Sequence, residues 1–149
     1  MTGTLHGTVV AWDDAGVLLR GPSGSGKSDL ALRLLAGGWL LVADDRVALT
    51  PAGADLVATA PQPLAGLLEV RGLGVVRTEA GQRCESVTLR LVVDLVADRD
   101  GIERMPEADF FRHAGIRLPL IRLYPFEESA TARLAMALAV TMDPDRRVE

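Results

Sequence analysis

Gly21-Pro22-Ser23-Gly24-Ser25-Gly26-Lys27-Ser28 fits the pattern G-x-x-x-x-G-K-[ST] at every position. Such a run suits one kind of chemistry. Its glycines let consecutive backbone N–H groups turn inward as an anion nest, and a helix opening near Lys27 adds the partial positive charge of its N-terminus. The lysine ammonium then reaches the β- and γ-phosphates of a nucleotide, and the serine hydroxyl is placed for Mg²⁺. Lys and Arg total 16, of which 15 are Arg, so Lys27 is the one lysine of the chain. A compact ammonium fits a tight oxygen cradle in which a planar guanidinium does not.

A second candidate lies one helix and one strand further on. Leu40-Leu41-Val42-Ala43-Asp44-Asp45 is a short apolar run ending in two carboxylates. Near a nucleotide, one such carboxylate serves the metal and the other accepts a proton from a hydroxyl. A polar turn after a buried strand has the same composition. Its nearness to the phosphate loop favours a Walker B element, at a separation shorter than most P-loop families show.

The elements that must position these residues follow from hydrophobic spacing. Thr8–Trp12 and Val17–Arg20 read as strands joined by a turn at residues 13–16. Lys27–Ala36 reads as a helix, with Leu30, Leu34 and Leu35 at helical spacing and Gly37-Gly38 as its stop. Trp39–Ala43, Arg46–Thr50, Asp55–Thr59, Leu67–Val70 and Ser86–Leu95 are strand-like. No helical pattern occurs between Asp45 and Leu95. A parallel sheet needs a crossover helix between successive strands, so hairpins and a mixed sheet with helices at the two ends are expected. Met105–His113 is expected as a short helix and Ile116–Tyr124 as a strand. Glu127–Met142 is expected as the second helix, with acidic residues in its first turn and Leu134 and Leu138 on one face. Residues 1–149 form a single domain, without repeats or a linker.

Bulk properties narrow the function classes. The 149 residues are 48% hydrophobic with mean hydropathy +0.21, which excludes general disorder. A net charge of −4 argues against a nucleic-acid binder. The single cysteine, Cys84, excludes an internal disulfide and a multi-cysteine metal site, and points to a reducing compartment. No apolar run is long enough for a membrane helix, and residues 1–6 lack a signal-peptide pattern. The expectation is a soluble, cytoplasmic protein without membrane or nucleic-acid partners.

The phosphate loop, Ala43-Asp44-Asp45-Arg46-Val47, and Leu68-Glu69-Val70-Arg71-Gly72-Leu73-Gly74 occur in this order at close spacing, preceded by His6-Gly7. Together they resemble the catalytic domain of the bacterial HPr kinase/phosphorylase family over roughly residues 5–105. The resemblance implies an α/β P-loop kinase domain of the HPr kinase / PEP carboxykinase-like kind, with a mixed, largely antiparallel central sheet and few helices. It implies a serine kinase that uses ATP and Mg²⁺ to phosphorylate an HPr-like phosphocarrier protein, with reverse phosphorolysis in the family's bifunctional members. Gly21, Pro22, Ser23, Gly24, Ser25, Gly26, Lys27 and Ser28 would hold the triphosphate, with Lys27 also catalytic. Asp45 would be the base. Ser28 and Glu69 would be metal ligands, with Asp44 assisting the metal or its water. His6 and Arg104 match an active-site histidine and arginine of the family. Homo-oligomers are implied as well.

The sequence also departs from the family. It begins almost at the catalytic domain and ends soon after Glu127–Met142. Residues 119–126, Pro-Leu-Ile-Arg-Leu-Tyr-Pro-Phe, carry one arginine in place of the Pro-x-Arg-Pro-Gly-Arg loop tied to phosphorolysis. Kinase activity is therefore inherited more directly than phosphorolysis. Two other readings of the same residues stay open: a small-metabolite kinase on this scaffold, and a non-catalytic module sensing nucleotide or phosphate. His6 also reads as a local hydrogen-bonding residue, and Glu69 with Arg71 as a surface ion pair. A guanine-reading Asn-Lys-x-Asp motif is impossible with the lone lysine at position 27.

Overall fold

The computed structural model describes residues 3–148. The first half of the chain forms β1 (Gly3–His6), β2 (Thr8–Trp12), β3 (Ala15–Arg20), α1 (Lys27–Ala36), β4 (Leu40–Ala43), β5 (Arg46–Ala52), β6 (Asp55–Thr59), β7 (Leu67–Val70) and β8 (Gly74–Arg77). The second half adds β9 (Ser86–Leu95), β10 (Asp109–His113), β11 (Ile116–Leu123) and α2 (Ala130–Met142).

The strands β2, β3 and β9 are near-continuous apolar runs because both of their faces are buried. Val10, Val17, Leu19, Leu91 and Val93 face the helices and pack with Leu30, Leu34, Leu134 and Leu138. Val9, Ala11, Leu18, Leu89 and Val92 turn the other way, into a second core with Val47, Leu49, Leu56 and Ala58. One irregularity serves this division. Gly16 pairs with Leu89 and Val17 with Leu91, so Arg90 is an extra residue in the ladder and Leu89 and Leu91 enter opposite cores.

The main sheet runs β1-β5-β6-β9-β3-β2-β4, with β11 beside β9 and β10 beside β11. Only the β3–β9 and β9–β11 pairings are parallel; the others are antiparallel. β7 and β8 form a separate hairpin, fixed to the α1 side of the core by the buried Leu68. The mixed, largely antiparallel sheet with few helices is thus present. Only short 3₁₀ turns at Gln62–Leu64 and Ala80–Gln82 interrupt the strands between Asp45 and Leu95.

Two segments depart from the sequence expectation. Met105–His113 is not a helix: residues 102–108 are irregular and Asp109–His113 is a strand against β11. Ala114 and Gly115, at φ 50° and 77°, turn that hairpin with the twist antiparallel strands require, and Phe111 is buried in the second core. α2 begins at Ala130 rather than Glu127, so its first turn carries no acidic residue. Glu127 lies before it and pairs with Arg99 and Arg133, both at 3.3 Å. β1 and β8 lie outside the expected strands. Among the described residues, no helix is long and apolar enough to cross a membrane.

Candidate active site

The phosphate-loop sequence occupies the turn between β3 and α1, at the border between the parallel and antiparallel halves of the sheet. Gly26 is the N-cap of α1 at φ 100° and no side chain caps it, so the first N–H groups of the helix are left for a ligand. A Cβ at Gly26 would stand 3.0 Å from the Phe126 ring, so both conformation and space require glycine there. A Cβ on Gly21 would lie 2.4 Å from Ser25 Oγ, which keeps the loop entrance tight.

Lys27 shares the buried stripe of α1 with Leu30, Ala31, Leu34 and Leu35. Its Nζ donates to the carbonyls of Gly21 at 2.7 Å and Pro22 at 3.0 Å, and to Ser25 Oγ at 3.4 Å. Burial pushes the ammonium below the ordinary lysine range, while the carboxylates of Asp44 and Asp45 pull it back up. The consequence for folding has a definite sign. The folded state disfavours the charged form, so Lys27 makes the fold more stable as pH rises from its lowered value towards the ordinary one. A bound oligophosphate acts in the opposite sense, because it favours the ammonium. Inorganic tripolyphosphate is therefore expected to bind with proton uptake, and to lose up to about tenfold in affinity per pH unit above the lowered Lys27 value. Calorimetric titration in buffers of different ionisation enthalpy measures that uptake. A pH-independent affinity across the alkaline range would separate Lys27 from the bound anion.

The two carboxylates that follow β4 have different environments. Asp44 is buried and accepts four hydrogen-bond contacts: from Thr8 Oγ1 at 2.8 Å, from Ser28 Oγ at 2.8 and 3.0 Å, and from the Glu69 backbone N–H at 3.0 Å. It ties β2, α1 and β7 together at one point. Asp45 is 68% exposed, and its contact is His6 Nδ1, 3.6 Å from Oδ1. Its backbone is at φ 69°, with the Arg46 N–H donating to the Asp44 carbonyl at 2.8 Å, a γ-turn whose central residue is strained. The Gly7 N–H donates to the Asp45 carbonyl at 3.1 Å, so β1 and β2 hold this turn.

An open cleft of about 310 Å³ gathers these parts. His6, Lys27, Ser28, Asp44, Asp45 and Glu69 line it, with Ser23, Gly24 and Gly26 from the loop. Arg71, from the turn after β7, lines it too. Arg104 is exposed in the irregular segment before β10 and is not among the lining residues. Thr8 has a place here that no sequence motif marks: a fully buried hydroxyl that fixes Asp44 from 36 residues away.

Among the described residues, no three His, Cys, Asp or Glu side chains gather as a metal site. Ser28 and Glu69 offer a hydroxyl and one carboxylate at the rim of the anion cradle. This partial donor set fits Mg²⁺, which takes one or two protein ligands and completes its shell with phosphate oxygens and water. Asp44 accepts from three donors, Thr8, Ser28 and the Glu69 N–H, and orients the Ser28 hydroxyl.

The family described as "HPr Serine kinase C-terminal domain" matches residues 1–138. A protein named HPr kinase/phosphorylase from Xanthomonas campestris pv. campestris is 42% identical over 131 residues, covering 80% of this chain and 42% of the relative. The protein of the same name from Xanthomonas oryzae pv. oryzae matches with the same identity and coverage. The chain thus spans less than half the length of these relatives. Among solved structures, the Hpr(Ser) kinase/phosphatase from Coxiella burnetii aligns with a TM-score of 0.80 at 22% identity, over 97% of this chain and 92% of that one. That likeness is one of fold.

Proposed function

The chain belongs to the HPr serine kinase C-terminal domain family, and on that premise we propose that it is an ATP- and Mg²⁺-dependent serine kinase acting on an HPr-like phosphocarrier protein. One observation carries the reading. A single cleft holds an oligoanion cradle with the chain's only lysine and, facing it, an exposed carboxylate on a strained turn.

In this reading the loop N–H groups and Lys27 bind the triphosphate and offset charge as the γ-phosphoryl group moves. Ser28 and Glu69 would hold Mg²⁺, which would supply countercharge to the phosphates during transfer. Asp45 takes the proton as the acceptor's seryl oxygen bonds to the γ-phosphorus and the bond to the β-phosphate oxygen breaks, leaving ADP and a phosphoserine. His6 orients the Asp45 carboxylate. Arg71, at the cleft edge, is a cation available to the incoming phosphoprotein or the γ-phosphate.

The cleft mouth favours a protein over a small metabolite. Leu32 on its wall is exposed, and the adjoining β7–β8 hairpin presents Leu73, Val75 and Val76 to solvent. Such an apolar rim suits a macromolecular surface. The forward reaction is the one assigned. The segment that would supply cations for an attacking inorganic phosphate, residues 119–126, carries one arginine, Arg122, and that arginine pairs with Asp109 at 3.1 Å. Self-association, which the resemblance implies, has an available surface on α2, where Met136 and Met142 are exposed. A phosphocarrier substrate and ATP place the reaction in the cytoplasm.

Incubation with ATP, Mg²⁺ and HPr, followed by mass spectrometry of HPr, is expected to show the gain of one phosphoryl group. Lys27→Met, which keeps the buried stem but removes the ammonium, is expected to slow labelling about a hundredfold or more. No phosphate on HPr, or equal labelling by Lys27→Met, would overturn the reading. ATP consumption with a metabolite but not with HPr would favour the small-molecule alternative.

A further inference from the structure

The three strands that run parallel, β3, β9 and β11, end on the same side of the sheet. The phosphate loop follows β3, residues 96–102 follow β9, and residues 124–129 follow β11. Ligands of α/β sheets bind beyond such carboxyl ends. The Val96 N–H donates to the Leu123 carbonyl at 2.9 Å, joining the second and third of these segments. Glu127, with only 13% of its side chain exposed, pairs with Arg99 in one and Arg133 on α2. Arg33 of α1 donates to the Pro125 carbonyl.

Between these loops lies a second, shallow depression of about 740 Å³. Phe126 lines it, with 57% of its surface exposed. The ring abuts Gly26 of the phosphate loop and meets Tyr124 edge-on, at 5.8 Å between centroids and 77° between planes. Asp98, Asp100 and Glu128 supply carboxylates around it, and the Arg99–Glu127 pair lines it as well. Asp44, Asp45, His6 and Glu69 all stand elsewhere, in the first cleft on the antiparallel side of the loop.

We propose that Phe126, backed by Tyr124, is the platform on which the base of the bound nucleoside triphosphate stacks. This rests on the reading of Gly21–Ser28 as a triphosphate cradle. Lys27, Ser28 and Asp45 fix the reacting end of the phosphate chain in the first cleft, so the nucleoside leaves the cradle on the opposite flank, where Phe126 lies. The rim carboxylates of Asp98, Asp100 and Glu128 accept hydrogen bonds from amino groups of a neutral base, which sets the orientation of the whole nucleotide. The rim carboxylates are exposed, so the platform distinguishes a nucleotide from a bare oligophosphate more strongly than one purine from another.

The test is calorimetric titration of the intact chain with Mg²⁺-ATP and with Mg²⁺-tripolyphosphate. The parent protein is expected to bind ATP about ten- to thirtyfold more tightly than tripolyphosphate. Phe126→Ala is expected to erase that preference by weakening ATP alone, and Phe126→Tyr to retain it. An unchanged preference in Phe126→Ala would overturn the platform. So would a parallel loss of both ligands that leaves their ratio intact, which would make Phe126 a support for the loop. Failure of the parent to bind tripolyphosphate would instead overturn the cradle on which the platform depends.

Discussion

Asp45→Asn is expected to lower the rate of phosphoryl transfer about a thousandfold while leaving ATP affinity within about threefold of the parent, because a positioned general base contributes roughly 10²–10⁴ in rate and little to ground-state binding. The structure isolates the carboxylate for such a test. Its contact is the imidazole of His6 at 3.6 Å, and it is largely exposed, so stability does not depend on it. The backbone is another matter. At φ 69° the residue carries strain, held in place by the Arg46 N–H on the Asp44 carbonyl and the Gly7 N–H on its own. Asparagine tolerates this conformation, so Asp45→Asn should melt close to the parent. Asp45→Gly removes the Cβ that makes it costly and is expected to be equally inactive yet more stable by about 0.5–1 kcal/mol, a trade of stability for function at one residue. Single-turnover labelling, ATP titration and thermal unfolding of the two variants measure all three quantities. Transfer by Asp45→Asn within tenfold of the parent would place the proton acceptor elsewhere.

What the sequence disclosed of the fold follows burial. Val9–Ala11, Val17–Leu19 and Leu91–Val93 are apolar at every position because two cores claim their alternate faces, and such runs stand out in any sequence. α1 is legible for a related reason: its buried stripe repeats at helical spacing, with Lys27 taking one of its places. The strands that escaped sequence reading lack this signature. β8 is exposed at all four residues, and β1 is an edge strand with a single partly buried apolar side chain, Leu5. Pairing with β7 and β5 alone makes them strands. Asp109–His113 misleads because Phe110 and Phe111 are adjacent, with no alternation, and its turn uses Ala114 at positive φ where asparagine or aspartate would have signalled a hairpin.

The site divides in the same way. Residues contiguous in a motif, Gly21 to Ser28, could be placed from sequence because the backbone loop itself is the device. Thr8 and Phe126 could not, since each acts through a contact across the fold: a hydroxyl on Asp44 for one, a ring on Gly26 for the other. Nor does the pair Asp44-Asp45 state which member does what. Adjacent residues at the end of a strand diverge, one inward and one outward; the family resemblance, not the pair itself, proposes Asp45 as the base, and the packing of β2, α1 and β7 around Asp44 leaves Asp45 the exposed member. Arg104 shows the reverse limit: similarity places it in the site, while the described fold leaves it in an exposed segment apart from the cleft.

That divergence gives Asp44 an effect unlike that of its neighbour. Asp44→Ala leaves the Thr8 hydroxyl, fully buried, the Ser28 hydroxyl and the Glu69 N–H without their acceptor. Each orphaned donor costs about 1–3 kcal/mol, and hydrogen bonds to a charged acceptor stand at the upper end. Water entering from the cleft offsets part of this, so a loss of about 3 kcal/mol is expected, seen as a fall of roughly 10 °C in melting temperature for a chain of this size. Asp44→Asn separates stability from function. Its one carbonyl oxygen can still receive the Glu69 N–H, while its amide donates to Thr8 and competes for Ser28, which lies within reach of both positions and whose hydroxyl is able to accept. The network survives in reversed sense, and most of the stability with it. But a Ser28 oxygen that accepts from an amide has one of its two lone pairs engaged, and its own hydrogen, no longer held by a carboxylate, is free to turn towards the cation. Asp44→Asn is therefore expected to fold nearly as the parent does and to phosphorylate HPr about a hundredfold or more slowly, with the deficit appearing as a raised Mg²⁺ requirement. A melting temperature for Asp44→Ala within about 2 °C of the parent would remove Asp44 as the point at which β2, α1 and β7 are joined. An unchanged Mg²⁺ dependence in Asp44→Asn would remove Ser28 from the metal.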